Sequence, residues 1–366
     1  MNADFSNLRN FSNKISGNLR ETKQTNIKSM SKRWKIRPNG SNWGDWGDDD
    51  QLGRLNLTTP ENVLKGIAEV KTGKTFCLSL SLDYPGGQVI NKVRRPPVLT
   101  PVIRNNEAYF NYQWNKLNPS QTDIASDDQV TLANQYSTQW DSLAHRGAMF
   151  DVMGDGKQQP VYYNGFRAGE DVVLNEDNTS AAKALGIENM AAHGIQGRGV
   201  LVDLFSTYGE FPRKEVGYDD LMRIMEKDKV VVEEGDILCV WTGLDRMIMR
   251  MRGRPDRSVK DACAVLDGWD EKLLQWITDS GVAAIASDNL AVEAVGKALP
   301  EGYTGSNLPL HEHCLFKLGI PLGELWLLSD LAQYLRENSR NRFLLTAPPL
   351  RLTGAVGSPV TPLATV

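Results

Sequence analysis

The sequence predicts an α/β fold, and two observations lead to this class. Helical and strand patterns alternate through the second half of the chain, as they do where helices cover a sheet. The patterns lie at 217–227 (helix), 229–241 (strand, broken by a Gly-Asp turn), 270–279 (helix) and 282–287 (strand). The composition agrees, because 366 residues with 41% hydrophobic and 23% charged residues can bury the core of one large domain or two.

The first third of the chain also predicts regular elements. Thr59 can cap a helix that has Pro60 in its first turn and stops near Gly73. Polar and apolar residues alternate over 75–82, which indicates a strand, and the aromatic-rich segment 106–114 predicts another.

Composition and motifs exclude several classes of function. A net charge of −4 gives no electrostatic reason to expect nucleic-acid binding. No apolar run reaches the roughly 18 residues that a membrane-spanning helix needs. The glycine-rich residues before the strand at 200–204 enter a strand instead of leaving one, so they do not match a dinucleotide-binding loop. Four scattered cysteines predict reduced, mostly buried thiols and a cytoplasmic protein.

The N-terminal residues 1–38 differ from the rest in charge. They contain nine basic residues against two acidic ones and lack the continuous apolar stretch of a secretory signal. We expect a flexible or subunit-swapping arm here, followed by a catalytic domain at 39–366. A disordered tail without function is an equally open interpretation of the arm.

One polar stretch stands out: Gln-Tyr-Ser-Thr-Gln-Trp-Asp-Ser-Leu-Ala-His, at 135–145. On an extended strand Gln135, Ser137, Gln139 and Asp141 would share one face, because alternate side chains point the same way. A polar row of this kind predicts a strand that lines a wet pocket.

This stretch resembles the motif His-x-Gly-Thr-His-x-Asp-x-Pro-x-His of the cyclase-type amidohydrolases, which include bacterial kynurenine formamidase and isatin hydrolase. The resemblance implies metal-ligand positions at Gln135, Gln139 and Asp141, with glutamine in place of both family histidines. It implies a proton-transfer role for His145. Thr138 matches the motif as it stands and is a candidate catalytic residue.

A second segment resembles the distal part of the same family. There a histidine and a glutamate complete the metal shell, which implies His311 and Glu324 here. His313 is the alternative histidine for this position. Without a functional role, it would be an exposed residue on a helix. Asp288 and Glu293 follow a predicted strand. They are candidates for supporting His311 or the metal from outside the ligand set, by orienting the ligands.

The resemblance also implies the architecture, a single swivelling β/β/α-type domain with a mixed sheet, and a homodimer or homotetramer. Aromatic and polar residues near the implied pocket are candidate substrate contacts. These are Trp43, Trp46, Trp140, Tyr163, His193 and Asp288.

These residues predict a metal-dependent hydrolase that cleaves a C–N or C–O bond of a ring-containing amide, formamide or lactone. Water activated by the metal would attack, with His145 as general base. The oxygen-rich ligand set favours Mn²⁺, Mg²⁺ or Ca²⁺ over tightly held Zn²⁺, and an amide ligand predicts weak binding or none. We expect Mn²⁺ or Zn²⁺ as the cofactor, with Mg²⁺ as a further alternative. Two alternatives stay open: a metal-free cyclase, dehydratase or isomerase that uses His145 and Asp141, and a non-catalytic small-molecule binder.

Overall fold

A nine-stranded mixed sheet forms the centre of the protein in the computed structural model, which describes residues 32–299 and 301–366. Arg33–Val366 is one compact unit. In spatial order the strands are Thr75–Cys77, Leu363–Thr365, Arg342–Thr346, Gln196–Asp203, Ile237–Trp241, Ala284–Ser287, Leu322–Glu324, Gln139–Asp141 and Gly357–Pro359. The four strands from Gln196–Asp203 to Leu322–Glu324 pair in parallel, and the outer pairs are antiparallel. The predicted α/β class with a mixed sheet is confirmed.

Helices and small strand pairs surround this sheet. The α-helices are Pro60–Ala68, Ile187–His193, Phe205–Tyr208, Tyr218–Lys227, Leu244–Met251, Glu271–Ser280, Pro309–His311 and Ser329–Glu337. The 3₁₀ segments are Gly53–Leu57, Trp114–Lys116, Tyr163–Gly165 and Arg257–Lys260, and Glu312–Leu318 is a π-helix. The paired short strands are Val98–Pro101 with Asp128–Thr131, Ile103–Arg104 with Glu107–Ala108, Tyr112–Gln113 with Ile124–Ala125, Ala148–Phe150 with Gln159–Val161, Val172–Leu174 with Ser180–Ala182, and Lys214–Val216 with Ala264–Leu266. Within the described ranges, every helix is too short or too polar to cross a bilayer.

The predicted helix after Thr59 is present. The Thr59 side chain accepts the Asn62 backbone N–H, Pro60 occupies the first turn, and the helix ends at Ala68, before Gly73. The predicted strand at 75–82 is shorter and ends at Cys77.

Two predicted strands are interrupted by turns. The segment 229–241 becomes a strand only at Ile237, because Gly235 adopts a φ of 83° in the preceding turn. The segment 106–114 splits into two short strands around Asn111, whose φ is 51°. The break at Gly235 agrees with the predicted Gly-Asp turn, whereas alternating residue types could not reveal the break at Asn111.

Most of the predicted N-terminal arm, residues 1–31, lies outside the described residues. The end of the segment packs against the domain. Trp34 is buried with its ring centroid 6.1 Å from that of Trp43, and the Arg33 guanidinium lies over the Phe166 ring. Arg37 donates to the Trp43 carbonyl.

The sheet is apolar on both faces. Along the strand Gln196–Asp203, Val200 and Val202 enter one hydrophobic cluster while Leu201 enters another, as alternating side chains must. Trp140 belongs to the second cluster, so Gln139 and Asp141 point to the other face of the sheet. The cysteines are free and three of the four are buried.

Trp140 and Thr138 fix the strand that carries Gln139 and Asp141. The Trp140 indole donates to the Ala347 carbonyl over 2.8 Å and packs edge-on against Trp326. The fully buried Thr138 hydroxyl donates to the Leu325 carbonyl and accepts the Leu80 N–H over 2.9 Å. One hydroxyl therefore ties two other segments, those of Leu80 and Leu325, to this strand.

Replacing this hydroxyl should destabilise the domain. Thr138→Val keeps the shape but leaves the Leu80 N–H and the Leu325 carbonyl without partners, which should lower the free energy of unfolding by about 2–3 kcal/mol. Thr138→Ser retains the hydroxyl and serves as the matched control, with an expected loss below about 1.5 kcal/mol. Urea unfolding of the three proteins measures the difference. Equal losses for Val and Ser would contradict the bridging role.

Candidate functional site

The site begins where two antiparallel strands meet. Gln139 pairs with Glu324 and Asp141 with Leu322, so the Gln139 and Glu324 side chains lie side by side on the same face of the sheet. The Gln139 amide donates to Glu324 Oε2 over 2.8 Å. All three polar side chains are buried.

His311 joins them from the end of the helix Pro309–His311, at the point where the π-helix Glu312–Leu318 begins. Its Nε2 lies 3.3 Å from Glu324 Oε1. One donor atom each from Asp141, His311 and Glu324 lies within 4.8 Å of the others. We call these three residues the carboxylate cluster. His313 points elsewhere, and its Nε2 shares a hydrogen bond with the Thr278 hydroxyl.

Glu293 holds His311 from behind. Its Oε1 accepts both the His311 Nδ1–H over 2.7 Å and the His311 backbone N–H over 2.8 Å. Burial by itself would lower the pKa of His311, but the bonds to Glu293 and Glu324 outweigh it and raise that pKa to about 9. The imidazole orientation is therefore fixed by two carboxylates.

Three buried oxygen atoms at the site have no hydrogen-bond partner among the described residues: both carboxylate oxygens of Asp141 and Oε1 of Gln139. Buried polar atoms nearly always have a partner. Burial, and secondly the charge of Glu324, raises the pKa of Asp141 well above its usual range. Unpartnered oxygens next to a histidine and a glutamate are a donor set that fits a divalent cation.

The backbone beside both glutamates adopts an unusual conformation. Val292, before Glu293, has a φ of 58°, and Leu325, after Glu324, has a φ of 56°. Left-handed geometry costs such residues roughly 1–2 kcal/mol. Asn289 stabilises both turns, because its side chain bonds the Val292 N–H and carbonyl while its own carbonyl accepts the Leu325 N–H. The sequence did not single out Asn289, although Asp288 and Glu293 on either side of it were predicted to support the site.

A tight turn of the chain places His145 near Asp141. The His145 N–H donates to the Ser142 carbonyl over 2.9 Å, which brings Nε2 to 3.7 Å from Asp141 Oδ2. On the other side of the ring, Nδ1 lies 3.5 Å from the Gln135 amide nitrogen. The imidazole is 21% exposed, so it sits at the boundary between the buried cluster and solvent.

The surroundings keep His145 neutral. Burial is the largest cause, and the positive charges of His311, Arg94 and Arg146 add to it, which lowers the pKa of His145 to about 3. A neutral imidazole at neutral pH has a nitrogen free to accept a proton.

The prediction of one extended strand with four polar side chains on the same face is wrong for Gln135 and Ser137. Only Gln139–Asp141 is a strand, and Gln135 and Ser137 lie in the preceding turn and bend. The Ser137 hydroxyl donates to the Ser81 carbonyl. Gln135 reaches His145 through this turn and not through strand alternation.

Four candidate residues are fully buried, and their contacts are with the protein core and not with a ligand site. The Thr138 hydroxyl is occupied by two backbone groups, so it positions the strand and has no contact surface for a substrate. Trp43 donates to the Phe316 carbonyl. Trp140 and Tyr163 are likewise enclosed by the core and leave no surface for a ligand.

The other predicted substrate contacts make structural bonds or lie in a loop. Asp288 is buried and accepts the backbone N–H groups of Thr242 and Asp245. His193 shares a hydrogen bond with the Thr58 hydroxyl on the surface. Trp46 is half-buried in the loop between Trp43 and Gly53. The structure does not bring these three together with the carboxylate cluster.

A cavity of about 490 Å³ lies next to the site. Gln135, which contacts His145, and Leu325, which follows Glu324, both line it. Its volume is typical of pockets for small molecules. The arrangement therefore combines a buried cation-binding donor set, a neutral imidazole and space for a ligand.

Comparisons with known proteins agree with this architecture. A crystal structure of a novel cyclase is 31% identical, covers 89% of this chain and 99% of its own, and superposes with a TM-score of 0.70. Isatin hydrolase A from Labrenzia aggregata, bound to benzyl benzoate, is 13% identical over 83% of this chain and 97% of its own, with a TM-score of 0.51. Isatin hydrolase A from Ralstonia solanacearum is 14% identical over 84% and 98%, also with a TM-score of 0.51.

No curated protein matches the chain. The family model for putative cyclases matches residues 78–294, more than half of the chain, and this range includes Asp141, His145 and Glu293. Together with the 31% identical cyclase structure, it confirms the resemblance found in the sequence. The chain belongs to the putative cyclase family.

Proposed function

We propose that the protein is a metal-dependent hydrolase that cleaves a C–N or C–O bond in a ring-containing amide, formamide or lactone. The observation that carries this proposal is the buried carboxylate cluster beside unpartnered oxygens of Asp141 and Gln139. Structures that share this fold include isatin hydrolases, which is consistent with a hydrolytic reaction on a ring-bearing substrate.

Asp141, His311 and Glu324 would hold the cation, with the Gln139 amide oxygen as a further donor. A bound divalent cation would polarise the substrate carbonyl and lower the pKa of a water molecule. Glu293 would keep the His311 ring in the orientation that presents Nε2 to the site.

His145 would perform the proton transfers. Its neutral ring accepts a proton from the attacking water, whose oxygen forms a bond to the carbonyl carbon. The imidazolium produced is stabilised by the Asp141 carboxylate, 3.7 Å away. The proton then passes to the leaving nitrogen or oxygen as its bond to carbon breaks, and the products are an acid and an amine or alcohol.

The pair of His145 and Asp141 also supports a second candidate, a metal-free acid/base enzyme. The two side chains are close enough for a proton relay through a small rotation, since Nε2 and Oδ2 are 3.7 Å apart. Activity that persists in chelator-treated protein with no bound metal would favour this candidate.

Removing one oxygen donor should weaken metal binding. Wild-type protein purified without chelator and equilibrated with Mn²⁺ should hold about one ion per chain by elemental analysis, and Asp141→Ala should bind at least tenfold more weakly. Glu176→Ala, an exposed acidic residue, is the matched control and should bind like wild type. Metal-free wild type that remains active would refute the metal-dependent reaction.

Substituting the residue behind His311 should weaken the site without removing a ligand. Glu293→Gln keeps the size of the side chain but weakens its bond to His311 Nδ1, so metal affinity should fall about 10–100-fold. A calorimetric titration with Mn²⁺ measures this. Unchanged affinity would show that Glu293 serves only the fold.

Removing the imidazole should separate chemistry from binding. In a screen of amides, formamides and lactones, His145→Ala should lower kcat/KM about 10²–10⁴-fold for any substrate that wild type hydrolyses. Its metal content and melting temperature should match wild type, because His145 is partly exposed and outside the carboxylate cluster. Full activity in this variant would exclude His145 as the general base.

A further inference from the structure

The cavity of about 490 Å³ lies beside the proposed reacting centre. Gln135 lines it and contacts the His145 ring at 3.5 Å, and Leu325 lines it directly after Glu324. A molecule bound in the cavity would therefore be separated from His145 by the Gln135 side chain.

The charged lining of this cavity is mainly positive. Arg94, Arg213 and Lys260 contribute three cations, against the single carboxylate of Asp261. None of the three forms an ion pair with a carboxylate in the part of the chain that the structure describes. Cations that line a concave space without carboxylate partners raise the local concentration of anionic ligands.

Backbone bonds fix the two guanidinium groups in place. Arg94 NH1 donates to the Gln135 carbonyl over 2.8 Å, and Arg213 NH1 donates to the Lys260 carbonyl over 2.8 Å. Each group keeps further N–H donors that no described residue accepts. A planar guanidinium with paired free donors matches the geometry of a carboxylate.

The remaining lining suits a ring. Ile90 and Leu290 provide apolar surface, and Gly87 has open space beside it. The cavity thus offers apolar contact for a ring and positive charge for a substituent on it.

We infer that the substrate carries a carboxylate attached to or near its ring, and that Arg94, with help from Arg213, binds this group. The inference rests on the proposed hydrolase function, because it names the substrate class of the same site. Arg94 and Arg213 are then specificity residues that orient the scissile bond toward His145.

Arg94 could instead serve only to balance the charge of the buried carboxylates. Its guanidinium bonds the Gln135 carbonyl and makes no ion pair with Asp141 or Glu324, so the cavity is the more direct role. Binding of a matched pair of probes distinguishes the two roles without requiring turnover.

The experiment compares benzoate with benzamide, which has nearly the same size and shape but no charge. Calorimetry or ligand-observed NMR gives both dissociation constants for the protein as purified, and for Arg94→Gln, Arg94→Lys and Arg213→Gln. Arg351→Gln changes an exposed arginine that does not line the cavity and is the matched control.

We expect wild type and Arg351→Gln to bind benzoate about tenfold more tightly than benzamide, a preference typical of one charge-assisted contact. Arg94→Gln should reduce the preference to threefold or less, Arg94→Lys should restore part of it, and Arg213→Gln should reduce it less than Arg94→Gln does. Raising the salt concentration should weaken benzoate binding and leave benzamide binding unchanged.

Equal binding of the two probes by wild type, or no binding of either up to about 10 mM, would overturn the inference. A preference that survives both glutamine substitutions would overturn it too, since benzoate would then be held by other groups. Failure of the hydrolase proposal is separate: it would appear as absent metal or absent turnover while the benzoate preference persisted.

Discussion

The structure depends on how three buried carboxylates are accommodated around one imidazole. Asp141, Glu293 and Glu324 converge on His311 with almost no exposed surface. An ionised carboxylate taken out of water is costly unless it is paired or coordinates a cation. A protonated His311 would offset one negative charge, whereas a divalent cation bound by a neutral His311 would offset two. The raised pKa of Asp141 has the same origin, the excess of buried negative charge. Without a cation nearby, binding a proton is the other way to neutralise this carboxylate.

The rest of the domain places these groups and prevents them from moving apart. The antiparallel pairing sets Gln139 beside Glu324, and Thr138 ties the same strand to the segment that follows Glu324. Two left-handed residues and the Asn289 bonds aim the glutamates inward. A π-helix starts immediately after His311, a departure from regular helix geometry that often occurs at functional sites.

Much of this fold could be predicted from the sequence, because alternating apolar patterns report directly on buried strands and amphipathic helices. The family motif also led to Asp141, His145, His311 and Glu324, which the structure brings close together. Two kinds of information were missing. Side-chain parity assumes an extended chain, so it could not show that Gln135 approaches His145 through a turn. Aromatic residues such as Trp43 look alike in sequence whether they line a pocket or fill a core, and only packing shows that Trp43 is enclosed.

The most direct test of the account is to locate the cation. Crystals soaked in Mn²⁺ should give one strong anomalous peak at the manganese edge, within coordination distance of Asp141, His311 and Glu324, at roughly 2.0–2.6 Å from oxygen donors. The soaked structure would also show whether the Gln139 amide oxygen turns toward the ion. A peak confined to surface carboxylates, with the carboxylate cluster unchanged, would contradict the claim that this buried charge is built to hold a metal.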